Sequence, residues 1–432
     1  LDKIELIILG GTFSSYDPNI SENFIKQLYY AANNIFKDQT QLIECLSIEE
    51  EIKINEQALC KIIGLTIETR PDVITKYELR RFRKYGVTRI QMGLQHTDDE
   101  ILNKVNRQCN QNDIKKGIKL AKDNCFKVDI HIMPDLPGSS IEKDKKMFEE
   151  IIYGSDYQAD QWKIYPTNVL EFTKIKEWYD EGTYRPYAES DFEGFLKLLI
   201  WVMTKIPPWI RVNRVQRDFP GNYIEGGNKL TNLRQVLNDE MKKVEKLTKE
   251  IRSCEVKTDL SDIKNVKLLK FLYHGSDGID IFLCHKSGKN KFSWNYTFYL
   301  IFSFFASLFG IYIWNYEGDG DEDKIYSFLR LRITNSNYTN CFSDIYKNKA
   351  KIRELHVYGK MNTTYTKNQV KETQHLGFGK QLLIEAEKIA KYYRCDGMMV
   401  IAGIGTRNYY RKFGFEIPKY EKNHGDFMVK NF

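Results

Sequence analysis

The sequence has no closely spaced pair of cysteines and no apolar N-terminal segment of the kind that directs secretion. Its eight cysteines are scattered, at positions 45, 60, 109, 125, 254, 284, 341 and 395. Scattered thiols argue against a disulfide-rich scaffold and favour a reducing compartment. We therefore expect a cytoplasmic protein, with an additional nuclear location left open.

The sequence also lacks a strong charge of one sign. Its 65 Lys and Arg residues outnumber the 58 Asp and Glu residues by only 7, and they are spread along the chain. This balance permits a polyanionic partner such as RNA but does not require one. With 432 residues, of which 42% are hydrophobic, the chain is too long for one ordinary domain and can form two or three.

One long uncharged run interrupts this pattern. The nineteen residues 296–314 contain no Asp, Glu, Lys or Arg, and aromatic residues lie at both ends. Length and aromatic ends suit a membrane span. An organism-specific insertion or a translated intron explains the run equally well, so membrane contact stays an open alternative.

A glycine-containing turn near the C-terminus is the clearest functional signal. The segment Gln374-His375-Leu376-Gly377-Phe378-Gly379-Lys380 has the Q-x-x-G-x-G spacing of the pyrophosphate-binding turn of Gcn5-related acetyltransferases. The glycines let backbone N–H groups approach a phosphate, and the helix predicted at 382–392 directs its positive N-terminus at the same anion. With strands predicted at 352–357 and 398–403, the segment indicates a coenzyme A site.

Two adjacent tyrosines follow this unit. Tyr409 and Tyr410 lie in a stretch that resembles the Y-Y-x-K-x-G-F ending of the same acetyltransferases. A phenol at this place can lie against the thioester or protonate the departing thiolate. Simple packing of the two rings at a helix end is the alternative, and for Tyr409 it has equal weight.

The first 240 residues alternate between strand and helix patterns roughly every 30 residues. Strand patterns lie at 6–9, 61–71, 88–95, 127–138 and 161–166, and helix patterns at 21–36, 76–85 and 113–124. The alternation predicts a parallel (β/α) barrel or part of one, in which chemistry gathers at the C-terminal ends of the strands. Gly10-Gly11-Thr12, Gln95 and Lys163 occupy such ends.

Taken together, these segments resemble the elongator protein 3 family. The resembling stretches, in the family's order, are ELIILGGTF, GLTIETRPD, MGLQ, DIHIMPDLPG, KIYPT, PPWIRVNRVQRD, NLRQ, IRELHVYG, QHLGFGKQLL and GTRNYYRKFGFE. The resemblance implies an α/β chain with a radical-SAM (β/α) barrel over 1–250, incomplete at its N-terminus. A linker over 251–265 and a Gcn5-related acetyltransferase domain over 266–432 would follow, with an apolar insertion at about 285–315.

The resemblance also implies site residues. For acetyl-CoA these are Lys3, Glu354, Leu355, His356, Val357, Gln374, Gly377, Phe378, Gly379, Lys380 and Tyr410, and for S-adenosylmethionine they are Gly10, Gly11, Thr12 and Lys163. Tyr410 and Tyr409 are the candidate catalytic residues. Without the resemblance, the glycines could form a plain turn, both lysines could be solvated, and 354–357 could be ordinary sheet.

A basic stretch lies between the two candidate sites. Arg211, Arg214 and Arg217 follow Trp209, and guanidinium groups beside an aromatic ring suit RNA phosphates and unstacked bases. A solvated basic loop or a cluster of salt bridges between domains is an equally weighted alternative.

The sequence departs from the family in one important respect. The family's 4Fe-4S cluster is held by three cysteines upstream of the Gly10-Gly11-Thr12 strand, and this sequence has no such triplet. It starts with Leu1 rather than Met, so we expect an N-terminally truncated member. Because three thiolates and an open iron position let a cluster reduce a bound sulfonium, we expect no metal site in this chain and a cluster only in the full-length protein.

By resemblance, the chain would be the catalytic subunit of Elongator. It would transfer an acetyl group from acetyl-CoA toward C5 of the tRNA wobble uridine, through S-adenosylmethionine radical chemistry, and so give carboxymethyluridine. The implied partners are tRNA and other Elongator subunits, with a homodimer as a further option. Three alternatives stay open: a lysine acetyltransferase of histones or tubulin, a radical enzyme without acetyl transfer, and a non-catalytic scaffold fragment.

Overall fold

The computed structural model describes residues 2–257, 262–287, 324–334, 341, 343–359, 377–418 and 427–432. The uncharged 296–314 run and Gln374 lie outside these ranges, so the predictions for them stay predictions. Within the described ranges, no helix is both long enough and apolar enough to cross a membrane.

Six parallel strands form one sheet in the first half of the chain. They are β1 (Lys3–Ile8), β2 (Lys61–Thr69), β3 (Arg89–Gln95), β4 (Lys127–Ile132), β5 (Gln161–Ile164) and β7 (Arg211–Arg214). Their spatial order follows the chain, so β1 and β7 are the two edges and are not joined to each other. The sheet is therefore half of a barrel, which confirms the predicted partial (β/α) barrel. Two short strands, β6 (Asn168–Val169) and β8 (Gly226–Gly227), form a separate antiparallel pair.

Helices follow these strands along the chain. They are α1 (Pro18–Asn34), α2 (Ile48–Asn55), α3 (Lys76–Lys84), α4 (Asp99–Lys104), α5 (Gln111–Asp123), α6 (Ile141–Tyr153), α7 (Lys174–Asp180), α8 (Tyr187–Ser190), α9 (Phe192–Lys205), α10 (Leu233–Lys243) and α11 (Ile251–Cys254). Local sequence sets several starts, because Ser47 and Asn110 each form a capping box with the third helical residue.

The two faces of the half-barrel differ in polarity. On one face, residues such as Ile67, Ile90 and Ile130 pack with the helices in a single apolar core. The opposite face, called the inner face from here on, is buried yet polar. It carries Thr66, Glu68, Gln91, Asp129, His131, Gln161 and Lys163. Because strand side chains alternate between faces, the polarity of the inner face follows from the alternation of polar and apolar residues along each strand.

A second six-stranded sheet forms the other half of the molecule. Its strands are β9 (Lys267–Gly275), β10 (Gly278–Ser287), β11 (Lys324–Thr334), β12 (Lys349–Val357), β13 (Gly397–Val400) and β14 (Met428–Asn431), with helices α12 (Phe378–Tyr392) and α13 (Arg407–Arg411). All neighbouring pairs are antiparallel except β12 and β13, which run parallel. Helix α12 packs Leu382, Leu383 and Ala386 into the second core.

Two expectations from the sequence were incomplete. The basic stretch with Arg211, Arg214 and Arg217, for which a solvated loop was one alternative, contains strand β7, which pairs with β5. The expected linker at 251–265 contains helix α11, whose preceding residue Glu250 is buried and accepts a hydrogen bond from the backbone N–H of Val212 at 2.9 Å. Ile251, Cys254 and Val256 of the expected linker are buried as well.

A buried ion network joins the two halves. Arginines of β11 and β12 meet carboxylates of the first half: Arg353 Nη2 lies 2.7 Å from Asp160 Oδ1, and Arg332 Nη2 lies 2.6 Å from Asp123 Oδ1. Arg330 donates to the backbone carbonyl oxygen of Trp209 at 2.6 Å and to Glu354 at 2.9 Å. Since buried charges are tolerated only when paired, the network fixes how the two sheets face each other.

A close backbone approach adds to this contact. A Cβ atom on Gly403, just after β13, would overlap the carbonyl oxygen of Ile63 in β2. Nearby, Arg83 donates to the carbonyl oxygen of Ala402 at 2.9 Å. The loop after β13 therefore lies directly on the half-barrel.

Candidate functional site

The glycine turn predicted to bind diphosphate lies at the start of α12. Gly377 precedes the helix with φ 76°, in the left-handed region, and a side chain there would meet open space. Backbone N–H groups of the first helical turn have no carbonyl partner within the helix, so they can bind an anion. Phe378 stacks on His285 at 4.4 Å, and Lys380 is exposed. This geometry fits a coenzyme A diphosphate.

The predicted pantetheine strand has one open edge. β12 pairs with β11 as far as Val357, whereas its pairing with β13 stops at Ile352. In the described part of the chain, no strand pairs with the other edge of 354–357. Leu355 and Val357 are partly buried there, and His356 is exposed. The backbone of this edge can therefore hydrogen-bond an extended amide ligand.

The two tyrosines occupy different environments. Tyr410 is only 6% exposed and lies edge-on to Tyr409 and Phe415. Tyr409 is 36% exposed, and its hydroxyl oxygen lies 2.5 Å from where a Cβ atom of Gly379 would be. Burial raises the pKa of both phenols, so both keep their protons at neutral pH. Tyr409 is the residue that the fold brings against the turn.

Lys3 lies near the contact between the two halves. In β1 it pairs with Lys61, and a Cβ atom on Gly405 would lie 2.5 Å from the Lys61 side chain. Lys3 is thus one strand away from the loop that follows β13. The predicted role of Lys3 at acetyl-CoA stays a prediction.

The predicted S-adenosylmethionine residues lie at the C-terminal ends of barrel strands. Gly10 and Gly11 follow β1 with φ 108° and 68°, and a Cβ atom on either would meet no atom within 4 Å. With Thr12 they form a turn that a ligand can approach closely. Lys163 lies on the inner face rather than at a solvated barrel mouth. It is 7% exposed and donates to Gln91 at 2.7 Å, and burial lowers its pKa.

The three arginines predicted to bind RNA are not equivalent. Arg211 is engaged within the protein, 2.6 Å from Glu255 and 3.1 Å from the Tyr358 hydroxyl. Arg214 is exposed and pairs with Asp218, and Arg217 is exposed as well. Only the last two present their side chains to solvent.

Trp209, the aromatic residue near these arginines, does not present its ring to solvent. Its ring is fully buried and stacks on Tyr273 at 4.3 Å. The ring is therefore part of the contact between the two halves of the molecule.

The described residues offer no place for an iron–sulfur cluster. Among them, no group of three or more His, Cys, Asp or Glu side chains could hold a metal ion. The eight cysteines lie apart from one another, and six are buried. Because a cluster needs three neighbouring thiolates, we derive no step through one.

The reasoning from sequence missed the residues around His131. His131 is 3% exposed, lies edge-on to Tyr165 at 5.5 Å, and has its Nδ1 3.6 Å from Glu68. The signal was present, since Asp129 and His131 alternate with apolar residues in an otherwise buried strand.

Known families and relatives agree with this architecture. The radical SAM superfamily matches residues 2–151, and the radical SAM C-terminal domain matches residues 159–243. Together these matches span the half-barrel and the helices that cover it.

Several relatives match nearly the whole chain. The tRNA uridine(34) acetyltransferase of Methanocaldococcus jannaschii is 36% identical over 96% of this chain and 70% of its own length. Human Elongator complex protein 3 is 32% identical over all of this chain and 70% of its own length. A solved archaeal structure, Methanocaldococcus infernus Elp3 with an N-terminal deletion, superposes with a TM-score of 0.80 at 32% identity, covering all of this chain and 91% of that one. The chain therefore belongs to the Elongator complex protein 3 family of radical SAM proteins.

Proposed function

We propose that this protein is a tRNA uridine(34) acetyltransferase that uses acetyl-CoA and S-adenosylmethionine to modify C5 of the wobble uridine, toward carboxymethyluridine. One observation carries the proposal: the Gly377 turn and the inner face belong to two sheets that a buried ion network holds together. Two cofactor-binding halves that catalysed unrelated reactions would not need such a contact. The names of the relatives support the same reaction.

We assign the second sheet to the Gcn5-related acetyltransferase fold. Its support is the run of antiparallel strands β9 to β12, the parallel β13 and the glycine turn before α12. In this assignment the α12 N-terminus binds the diphosphate and the open edge of β12 binds pantetheine. Tyr409 or Tyr410 keeps a proton for the departing thiolate. Acetyl-CoA supplies the acetyl group when bound.

S-adenosylmethionine, when bound, would supply the radical chemistry. The residues of this chain would orient it: the Gly10-Gly11-Thr12 turn offers backbone groups to its amino acid part. The buried inner face keeps bulk water away from the reacting atoms. Proposed partners are tRNA and other Elongator subunits, and the proposed location is the cytoplasm.

Quantifying wobble uridines by mass spectrometry in cells depleted of this protein tests the proposal. We expect carboxymethyl derivatives of uridine 34 to fall, and pseudouridine in the same tRNA to stay constant as a control. Unchanged carboxymethyl levels would overturn the proposal. A loss of protein lysine acetylation with intact wobble uridines would favour the lysine acetyltransferase instead.

A further inference from the structure

Two rows of residues cross the inner face of the half-barrel. Strand register aligns Gln91, Asp129 and Gln161 in one row. The next row, toward the C-terminal ends of the strands, aligns Gly93 with His131 and Lys163. This second row lies toward the same edge of the sheet as the turn predicted to bind S-adenosylmethionine, with β2 and β3 between β1 and β4.

The side chains around the second row have unused hydrogen-bonding capacity. His131 Nε2, Asp129 Oδ1 and Gln95 Oε1 are buried atoms with no partner among the described residues. Lys163 donates a hydrogen bond to the neutral Gln91 amide at 2.7 Å. A buried polar group without a hydrogen-bond partner destabilises the folded protein. Such a cluster indicates a ligand that supplies the missing partners.

The charge around His131 determines what it can recognise. Burial and the nearby positive charges of Lys163, Arg217 and Arg107 lower the pKa of His131 to about 3, so its ring is neutral. Its Nδ1 faces the Glu68 carboxylate, which favours the ring proton on Nδ1. Nε2 is then an acceptor, while the Lys163 ammonium beside it is a donor.

An acceptor next to a strong donor complements the Watson–Crick edge of a base, where a planar N–H donor lies beside an acceptor. The proposed function makes uracil the base to be read, and its imide edge presents an N3–H donor flanked by two carbonyl acceptors. Enzymes that act on one base flip it out and read this edge in a closed pocket.

We propose that His131 Nε2 and Lys163 Nζ bind the imide edge of the target uracil, on the inner face of the half-barrel. This deepens, and rests on, the proposed action on a tRNA uridine. The missing side chain of Gly93 in the same row brings Arg107 and Gln95 close, since a Cβ atom there would overlap Arg107 Nη2 and lie 2.7 Å from Gln95 Nε2. Tyr165 lies edge-on to His131 at 5.5 Å, and the Arg217 guanidinium lies 5.1 Å from the Tyr165 ring.

The test measures how strongly the full chain binds short anticodon hairpins, by fluorescence anisotropy. The hairpins carry uridine or N3-methyluridine at the wobble position. We expect the wild type to bind the uridine hairpin about tenfold more tightly, as for the loss of a buried hydrogen bond. His131→Phe and Lys163→Met should make the two affinities equal without weakening binding of the methylated hairpin.

The matched control is His274→Phe, an exposed histidine on β9, which should keep the tenfold difference. His131→Asn is a second variant in case the phenylalanine does not fold, and acetyl-CoA affinity reports on folding in each. If the variants still bind the uridine hairpin more tightly than the methylated one, the inference is wrong. His131 Nε2 and Lys163 Nζ would then bind a cofactor ribose or a water molecule instead. A wild type that binds without discrimination also overturns it, whereas a wild type that binds no hairpin overturns the proposed function itself.

Discussion

Gly377 combines a left-handed backbone with open surroundings. Its φ is 76°, and apart from its chain neighbours no atom of the described residues lies within 4 Å of where a Cβ atom would be. Gly182, in the turn after α7, has nearly the same conformation, with φ 72° and equally open space. The two glycines thus differ in location but not in conformation. Any effect of a side chain that is specific to Gly377 must come from what binds at the start of α12.

We predict that Gly377→Val weakens acetyl-CoA binding at least tenfold, whereas Gly182→Val leaves it unchanged. Both substitutions carry a similar backbone penalty of about 1–2 kcal/mol, because a left-handed conformation crowds any Cβ atom. Only at Gly377 would the branched side chain cover the N–H groups offered to the diphosphate. Isothermal titration calorimetry gives the two affinities. Equal weakening by both variants would contradict the assignment of the turn.

At the scale of elements, β7 changes the interpretation of the basic stretch. Arg211 lies in this strand and binds Glu255 and Tyr358, so it connects the half-barrel to the second sheet. Arg214 ends the strand, and Arg217 follows it, with both side chains exposed. Arg211 therefore has a structural role, whereas Arg214 and Arg217 can reach RNA.

We predict that Arg214→Ala and Arg217→Ala each weaken binding of an anticodon hairpin and lower the slope of log affinity against log salt by about 1, as for the loss of one phosphate contact. Arg211→Ala should instead lower the melting temperature, because it leaves Glu255 without its partner. Binding titrations at several salt concentrations separate the two effects. If Arg211→Ala also lowered the slope of log affinity against log salt by about 1, Arg211 would bind RNA as well, and its assignment as a structural arginine would be wrong.

The sequence predicted those elements whose signal is local. β2, β12 and helix α12 have clear periodicity and lie within a few residues of their predicted positions, whereas β4 begins where predicted but ends at Ile132, six residues before the predicted end. β7 has only four residues, too few for a period, and its arginines resembled a loop. The hairpin of β9 and β10 was likewise missed, although its strands are longer.

The candidate site was predictable in part. The spacing of the glycines predicted the turn. It did not predict that Tyr409 contacts the turn while Tyr410 is buried. The polar inner face was visible as alternation in β4, yet its meaning depends on His131 and Lys163 lying in adjacent strands. Register between strands is a three-dimensional fact that a single sequence does not carry.

At the scale of the whole molecule, the buried ion network decides whether two sheets act as one. Asp160, from the half-barrel, accepts hydrogen bonds from Arg353 and from the backbone N–H of Val128 at 2.9 Å. The carboxylate is fully buried and lies between the sheets. Positive neighbours, chiefly Arg353 and Arg330, hold its pKa below the usual range against the effect of burial.

We predict that Asp160→Asn lowers the free energy of unfolding by about 3–5 kcal/mol, the range for one partner removed from a buried pair. Urea unfolding followed by tryptophan fluorescence measures the change. Glu193→Gln, which removes an exposed pair with Lys197, is the control and should have no measurable effect. A variant as stable as the wild type would show that the network does not hold the sheets together.

The same network predicts how stability depends on pH. Burial alone would raise the pKa of Glu354, but Lys127 and Arg330 hold it at about 2, against an ordinary value of 4.5. A carboxyl group with a lowered pKa stabilises the folded state fully above its ordinary pKa, and this contribution is lost as the pH falls toward the folded value. We therefore expect about 3 kcal/mol of stability to disappear between about pH 4.5 and pH 2.

Glu354→Gln tests this dependence, because an amide cannot titrate. The variant should be less stable than the wild type near neutral pH, since Arg330 loses its carboxylate at 2.9 Å, and the difference should shrink as the pH falls below about 4.5. Urea unfolding of both proteins across this range measures the difference, with the exposed Glu225→Gln as the control. If the difference in stability stayed constant with pH, Lys127 and Arg330 would not lower the pKa of Glu354 in the folded protein. Because β12 carries Glu354 at the open edge proposed for pantetheine, acid should weaken acetyl-CoA binding over the same range.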